Sequence, residues 1–189
     1  MLTFLVVAVF IAAWAALTDV RTGLIPNWLT AFGMVFGVGG HFLAGTLALS
    51  WQAGLTQSAT AIGGLLFCGA APFLLFWRGA MGGGDVKLFA AIGALCQPLL
   101  GIEAQMYALL FAAIFAPLRL AMQGQLLRVL SGSLALLVRP FRESSSSQAA
   151  LPEGAAWFRL GPCILAGAAA TLALHAHEFT NLSAQWIQP

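Results

Sequence analysis

Two aspartates are the residues of this 189-residue sequence whose type and placement best suit chemistry. Asp19 and Asp85 are its only aspartates, and each stands in a short polar segment beside a long apolar run. Two carboxyl groups brought to one point suit aspartic proteolysis, in which an ionised group draws a proton from water and a protonated partner polarises the scissile carbonyl. A lone aspartate beside an apolar run is more often an interfacial cap. The neighbouring residues and the elements that carry the pair must therefore decide between a structural and a catalytic role.

The composition predicts what those elements are. Hydrophobic residues make up 60% of the chain and charged residues 7%, against about 45–50% and about 25% in soluble domains. A net charge of +2 is too small for the positively charged surface that binds nucleic acid. The apolar runs are continuous rather than alternating, which argues against a β-barrel. We predict an all-α, polytopic membrane protein in which residues 1–189 form a single domain embedded in the lipid bilayer.

About six transmembrane helices are expected, since a spanning helix needs roughly 20 apolar residues. The first run lacks a positively charged start, so we interpret it as a retained span and not as a cleaved signal peptide. The fourth and fifth runs are short and could form one broken unit. The candidate spans lie at roughly 1–18, 28–49, 55–77, 87–102, 104–122 and 159–176.

The basic residues predict the orientation of these spans. All eight fall on one side of a six-span arrangement, and the other side, which includes the turn expected at Glu103 and the tail from His175, has none. By the positive-inside rule this side is cytoplasmic, so both termini face outward. It carries the long loop at about 123–157, where 126–138 could be an interfacial helix or plain loop. The eight residues are Arg21, Arg78, Lys87, Arg119, Arg128, Arg139, Arg142 and Arg159.

The order of the spans brings both aspartates to the cytoplasmic side, because Asp19 follows the first span and Asp85 precedes the fourth. The glycines before Asp85 leave its backbone bare, so that an extended peptide can approach closely. Pro26 and Asn27 are typical of a helix start, with Asn27 as a favoured N-cap. Arg21 and Lys87 either snorkel to the interface or favour the carboxylate form of the adjacent aspartate. The candidate supporting residues are therefore Gly82, Gly83, Gly84, Lys87, Arg21, Pro26 and Asn27.

Three segments carry a resemblance to a known family. Asp19–Asn27 (DVRTGLIPN) and Gly82–Leu88 (GGGDVKL) resemble the two catalytic segments of the type IV prepilin peptidases, GxGD-type membrane aspartic proteases. Phe158–Gly167 (FRLGPCILAG) is similar to the Gly-Pro opening of that family's last span. The resemblance implies that Asp19 and Asp85 form a catalytic pair in the bacterial inner membrane, with the active site at its cytoplasmic face.

The resemblance also implies a substrate. Members of the family cleave the basic leader of type IV prepilins and pseudopilins just before the hydrophobic N-terminal helix, for assembly of a pilus or secretion system. Longer members carry a cysteine-bearing insert after the first span and also N-methylate the new terminus. Here Arg21–Asn27 alone joins the first two spans, so methyltransferase activity is not expected. The compact form is similar to peptidases of Flp-type pili or to archaeal preflagellin peptidases.

Alternatives from other classes remain at this point. The aspartates could line a proton or cation path in a small transporter, which would require access from both faces. The chain could also be a non-catalytic membrane subunit of a pilus assembly machine. The sequence leaves open the particular prepilin, the oligomeric state, and which aspartate acts as the base.

No metal and no cofactor is expected. The three cysteines stand singly inside apolar runs, without the paired spacing of a zinc site or of a disulfide framework. Two acidic residues of the long loop, Glu143 and Glu153, could attract a basic leader, or could simply be solvated loop charges.

Overall fold

A computed structural model of the chain describes residues 1–122 and 159–185, apart from the side chains of Leu120 and of residues 177–185. The predicted long loop, with Glu143, Glu153 and the segment 126–138, lies outside the described residues. The described part consists of helices, so the all-α prediction is confirmed. In chain order these are α1 (Leu2–Thr22), α2 (Asn27–Ala48), α3 (Trp51–Trp77), α4 (Gly83–Met122) and α5 (Gly161–Gln185).

Among the described residues, four helices are long and apolar enough to cross a membrane, namely α1 to α3 and Gly83–Arg119 of α4. The apolar part of α5, Gly161–Ala176, is shorter. Helix α4 is counted once here, although a break at Gln97 divides it into two helical segments, which we call its first and second arms. With those arms separated, the helices are compatible with the expected number of about six spans.

The two arms of α4 meet at Gln97, where the backbone leaves the helical region with φ 62° and ψ 174°. A Cβ atom added to Gly101 would lie 3.0 Å from the Cα of Gly93. Residues eight apart in one straight helix would be separated by about 12 Å, so the chain reverses at Gln97 and the arms pack side by side. The turn was expected at Glu103 and this boundary was wrong. Glu103 instead lies inside the second arm, where it accepts a hydrogen bond from His175 of α5 at 2.8 Å.

The first arm of α4 is the centre of the bundle. Every residue from Leu88 to Cys96 is buried, and its large side chains join those of α1 and α5 in one apolar core. A helix that is apolar on all sides is stable only when neighbours surround it. The arm therefore holds Asp85, in its first turn, at a fixed place relative to α1 and α5.

Glycines allow the close helix contacts around this arm, as expected for small residues in membrane helices. A Cβ on Gly37 of α2 would lie 2.7 Å from the backbone of Ala94, and one on Gly64 of α3 would lie 2.1 Å from the carbonyl oxygen of Gly93. His41 of α2 is buried, and its Nε2 donates to the Leu95 carbonyl at 2.9 Å. These contacts lock α2 and α3 against the first arm.

Gly64→Ala is expected to destabilise the protein, because its new methyl group would meet backbone atoms that cannot turn aside. Overpacking of this kind costs about 1–3 kcal/mol. The adjacent Gly63→Ala is a matched control, since its nearest neighbour would be the Pro98 ring at 3.8 Å. Thermal unfolding in detergent micelles should give a lower Tm for Gly64→Ala and an unchanged or higher one for Gly63→Ala. Equal Tm values would mean that the contact is not this tight.

The chain separates into two compact units, one of residues 1–111 together with 159 onward, and one of residues 112–158. Of the second unit, the structure describes only the end of α4. Both aspartates and all the contacts described below belong to the first unit.

Candidate active site

The end of α1 and the start of α2 form one wall of the site. Helix α1 stops at Thr22 because Gly23 adopts a left-handed conformation (φ 71°), and the Gly23 N–H bonds to the carbonyl oxygen of Asp19. Glycine takes this conformation without the steric penalty of a Cβ. A short extended turn then leads to Pro26, which starts α2.

The turn before α4 forms the opposite wall, and the two walls enclose a cleft of about 460 Å³. Both aspartates line it. The prediction that helix parity brings Asp19 and Asp85 together agrees with this geometry. The cleft is lined by Asp19, Gly23, Leu24, Ile25, Pro26, Asn27, Gly82, Gly83, Gly84 and Asp85.

Asp19 is the more enclosed of the two aspartates, with 7% of its surface exposed. The backbone N–H of Gly161, at the start of α5, donates to its Oδ2 at 3.0 Å. Arg159 donates to the carbonyl oxygens of Asp19 and Val20, where a cation stabilises the end of a helix. The segment from Arg159 to Gly161, which leads into α5, therefore holds both the carboxyl group and the backbone of Asp19.

Asp85 is half-buried in the first turn of α4. The glycines before it have no left-handed backbone, since the positive φ values among described glycines are at Gly23 and Gly79. What Gly82–Gly84 provide is space. A Cβ on Gly84 would lie 3.2 Å from Ile25, and one on Gly82 would lie 3.1 Å from the Asp85 Oδ2. The absent side chains let the two walls come together around the carboxyl groups.

Lys87 joins the two walls of the cleft. Its Nζ donates to the Oδ1 of Asn27 at 2.8 Å. Asn27 was expected to be the N-cap of α2, and this was wrong, because Pro26 occupies that position and α2 has no side-chain cap. The Asn27 side chain accepts the hydrogen bond from Lys87 instead. Arg21 is exposed on the last turn of α1 and is not among the described residues that line the cleft.

Lys87→Met should weaken the closure of the cleft, since methionine keeps the length of the side chain and loses the donor. A hydrogen bond to a charged group contributes about 1.5–3 kcal/mol when it is protected and less when exposed. We expect a fall of about threefold to tenfold in kcat/KM for whatever substrate the cleft processes. Asn27→Asp, which retains an acceptor for Lys87, is the control and should keep most of the activity. If both substitutions reduced activity equally, the Lys87–Asn27 bond would not be the cause.

A sequence model of the type IV leader peptidase family matches residues 5–118. The chain belongs to the type IV leader peptidase family. The match includes both aspartates and all seven predicted supporting residues. It ends before α5, so the contacts of Arg159 and Gly161 with Asp19 come from outside the matched region.

Among curated relatives, this family member is similar to the prepilin leader peptidase/N-methyltransferase of Bacillus subtilis (strain 168). The two are 33% identical over 100 residues, which is 53% of this chain and 38% of the relative. The match thus spans well under half of the relative's length. No solved structure matches the chain. Family membership and the long apolar helices together make the chain an integral membrane protein.

Two residues at this site were missed as site residues by sequence reasoning. Arg159 was counted only as a basic residue, and Gly161 only as part of the Gly-Pro opening of the last span. A signal was present in the pairing of a glycine with Pro162 at a helix start, because proline favours the first helical turn. That signal predicts the start of the helix but does not predict that this start contacts Asp19.

Proposed function

We propose that the protein is a prepilin leader peptidase, an aspartic endopeptidase that cleaves the basic leader of type IV prepilins or pseudopilins. The observation that carries the proposal is the convergence of the chain's only two aspartates on one cleft, from the end of α1 and the start of α4. Family membership supports it independently.

The proposed chemistry assigns the two carboxyl groups complementary roles. The ionised aspartate takes a proton from a water molecule, which attacks the carbonyl carbon of the scissile peptide bond. The protonated aspartate donates a hydrogen bond to the carbonyl oxygen and stabilises the charge that develops there. Protonation of the leaving amine then completes the cleavage, and the water is consumed. Two nearby carboxyl groups share a proton readily, because ionising both is unfavourable.

The cleft suits an extended peptide. Gly82–Gly84 contribute backbone and no side chains to one wall, so a peptide backbone can come close to that wall beside Asp85. The distribution of basic residues supports a cleft on the cytoplasmic side of a bacterial inner membrane, with both termini outside. A leader that stays in the cytoplasm would reach it there.

The proposal does not extend to N-methyl transfer, although the name of the Bacillus subtilis relative includes that activity. In this chain α1 passes into α2 through the short turn that follows Thr22, and the cysteine-bearing insert of longer family members has no counterpart there. Mass spectrometry of the processed product should find a free amino terminus. Methylation by the purified protein would contradict this part of the proposal.

The experiment that tests the proposal is co-expression with candidate prepilins, read as the mobility shift of the shortened product on a gel. Purified protein in liposomes should cleave the same substrates. A non-catalytic assembly subunit would leave every candidate uncut. A transporter would leave them uncut and would carry protons or cations across the liposome membrane.

Chelator treatment should leave the cleavage rate unchanged within about twofold, because proton transfer between two carboxyl groups and water requires no metal. Among the described residues no group of three or more histidine, cysteine or acidic side chains could hold a metal ion. The rate in liposomes is measured before and after EDTA. A loss that zinc alone restores would contradict the aspartic mechanism.

A further inference from the structure

Arg159 lies in the segment before α5 and contacts the last turn of α1. Its guanidinium group donates to the carbonyl oxygens of Asp19 and Val20. The side chain is only partly exposed, because it folds back onto the protein. A cationic side chain at a membrane interface usually extends its charged end into water, so this arrangement points to a specific function for the contact.

The last turn of α1 contains a carbonyl group that its own helix does not satisfy. Carbonyl groups at the end of a helix lack the N–H donor four residues farther on. For Val20 that donor would be the N–H of Leu24, which instead donates to the Oγ1 of Thr22 at 3.3 Å. Arg159 therefore supplies the donor that α1 lacks, and its positive charge suits the negative end of the helix dipole.

The contact bears directly on the candidate dyad, because one of the two carbonyl groups belongs to Asp19 itself. A hydrogen bond to the backbone of a residue restrains the direction in which its side chain leaves the helix. The ends of helices open more easily than their interiors, and an open last turn would let the carboxyl group of Asp19 move. A displacement of about 1 Å in an active site can reduce a rate about 10²-fold.

We propose that Arg159 is a positioning residue of the candidate active site, which fixes the backbone of Asp19 by completing the end of α1. The inference rests on the proposed function. It is distinct from the contact of Gly161, which binds the carboxyl group, whereas Arg159 binds the backbone that carries it. Arg159 is not among the described residues that line the cleft, so it acts through Asp19 and not on the substrate.

Hydrogen exchange tests the hold on α1 without any substrate. Arg159→Gln removes the guanidinium group, and Arg78→Gln, which removes an exposed cation from the end of α3, is the matched control. The Gly23 N–H reports on the last turn of α1, because it donates to the Asp19 carbonyl at 2.9 Å. In detergent micelles its exchange should be about tenfold faster in Arg159→Gln, in line with the loss of a hydrogen bond from a charged group. Arg78→Gln should not change it. Equal exchange in all three proteins would overturn the proposal.

Kinetics test the effect of this hold on catalysis. On a prepilin in liposomes, Arg159→Gln should lower kcat about tenfold to a hundredfold, because Asp19 is displaced. KM should change by less than about twofold, since Arg159 does not line the cleft. Arg78→Gln should leave both constants unchanged. A rise in KM at an unchanged kcat, or an equal loss in Arg78→Gln, would contradict the positioning role.

A double-mutant cycle with Gly161→Ala tests whether Arg159 acts through Asp19. Substitutions that disturb the same group are not additive, so the combined loss in kcat should be well below the product of the two single losses. A combined loss equal to that product would mean that Arg159 acts elsewhere. If the unmodified protein cleaves no prepilin, the proposed function fails, and hydrogen exchange still reports whether Arg159 holds the end of α1.

Discussion

Asp19→Asn and Asp85→Asn are each expected to abolish leader cleavage while the protein still inserts in the membrane. Asparagine has nearly the shape of aspartate, and the Gly161 N–H could still donate to its amide oxygen. The carboxamide cannot exchange a proton with water, so whichever role the residue has is lost. General acid or base catalysis contributes about 10²–10⁴-fold, and we expect a loss of at least that size in kcat from each substitution. The rate is measured on a prepilin in liposomes.

Glu103→Gln is the matched control for these substitutions. It makes the same carboxyl-to-carboxamide change in α4, and glutamine can still bond to His175, one of the residues that Glu103 contacts. Cleavage by this variant should stay within about twofold of the unmodified rate. A normal rate for Asp19→Asn or Asp85→Asn would show that the pair is not the catalytic dyad, even if the protein proved to be a peptidase. A similar loss in Glu103→Gln would point to general damage rather than to chemistry.

Much of the fold follows from hydropathy because membrane helices are long, apolar and bounded by polar turns. The predicted runs for α1, α2 and α3 agree with the observed helices to within a few residues. The turn inside α4 could not be found in this way. Gln97 carries a backbone conformation that is nearly confined to glycine. Hydropathy does not mark the reversal, because apolar runs continue on both sides of it. Pro98, which directly follows Gln97, was a local signal, since a proline disfavours helix at the residue before it. The turn at Gln97 is stabilised because the first arm of α4 is buried on every side.

The convergence of the two aspartates was predictable for a different reason. Two spans separate the carboxyl end of the first from the amino end of the fourth, and this even number returns the chain to the same side of the membrane. The charge asymmetry tells which side that is. The detailed contacts were not predictable, because they depend on backbone approach. The Asn27 side chain looks like a helix cap in sequence and binds Lys87 in the fold. The bond from Gly161 to Asp19 joins residues at opposite ends of the chain, and only packing of α5 on α1 brings them together.

Gly161→Ala is expected to lower kcat strongly without unfolding the protein. The new Cβ would lie 2.8 Å from the Asp19 Oδ2, 3.0 Å from the Asp19 Cβ and 3.1 Å from the Cα of Ala16. The carboxyl group could rotate away, but the other two atoms belong to the rigid part of α1. Either Asp19 or the start of α5 must therefore move by a few tenths of an ångström or more. Displacements approaching 1 Å can reduce a rate about 10²-fold, so we expect a fall of about tenfold to a hundredfold.

The separation of kcat from KM distinguishes this positioning role from a general effect of packing. Gly161 contacts Asp19 and is not among the described residues that line the cleft, so KM for prepilin should change by less than about twofold. Gly39→Ala in α2 is the matched control, because a Cβ there would meet nothing within 4 Å. That substitution should leave kcat unchanged and, by replacing a glycine within a helix, raise stability by about 0.5–1 kcal/mol. An unchanged kcat in Gly161→Ala would mean that α5 does not position Asp19, and a matching loss in Gly39→Ala would mean that the effect is not specific to the contact with α1.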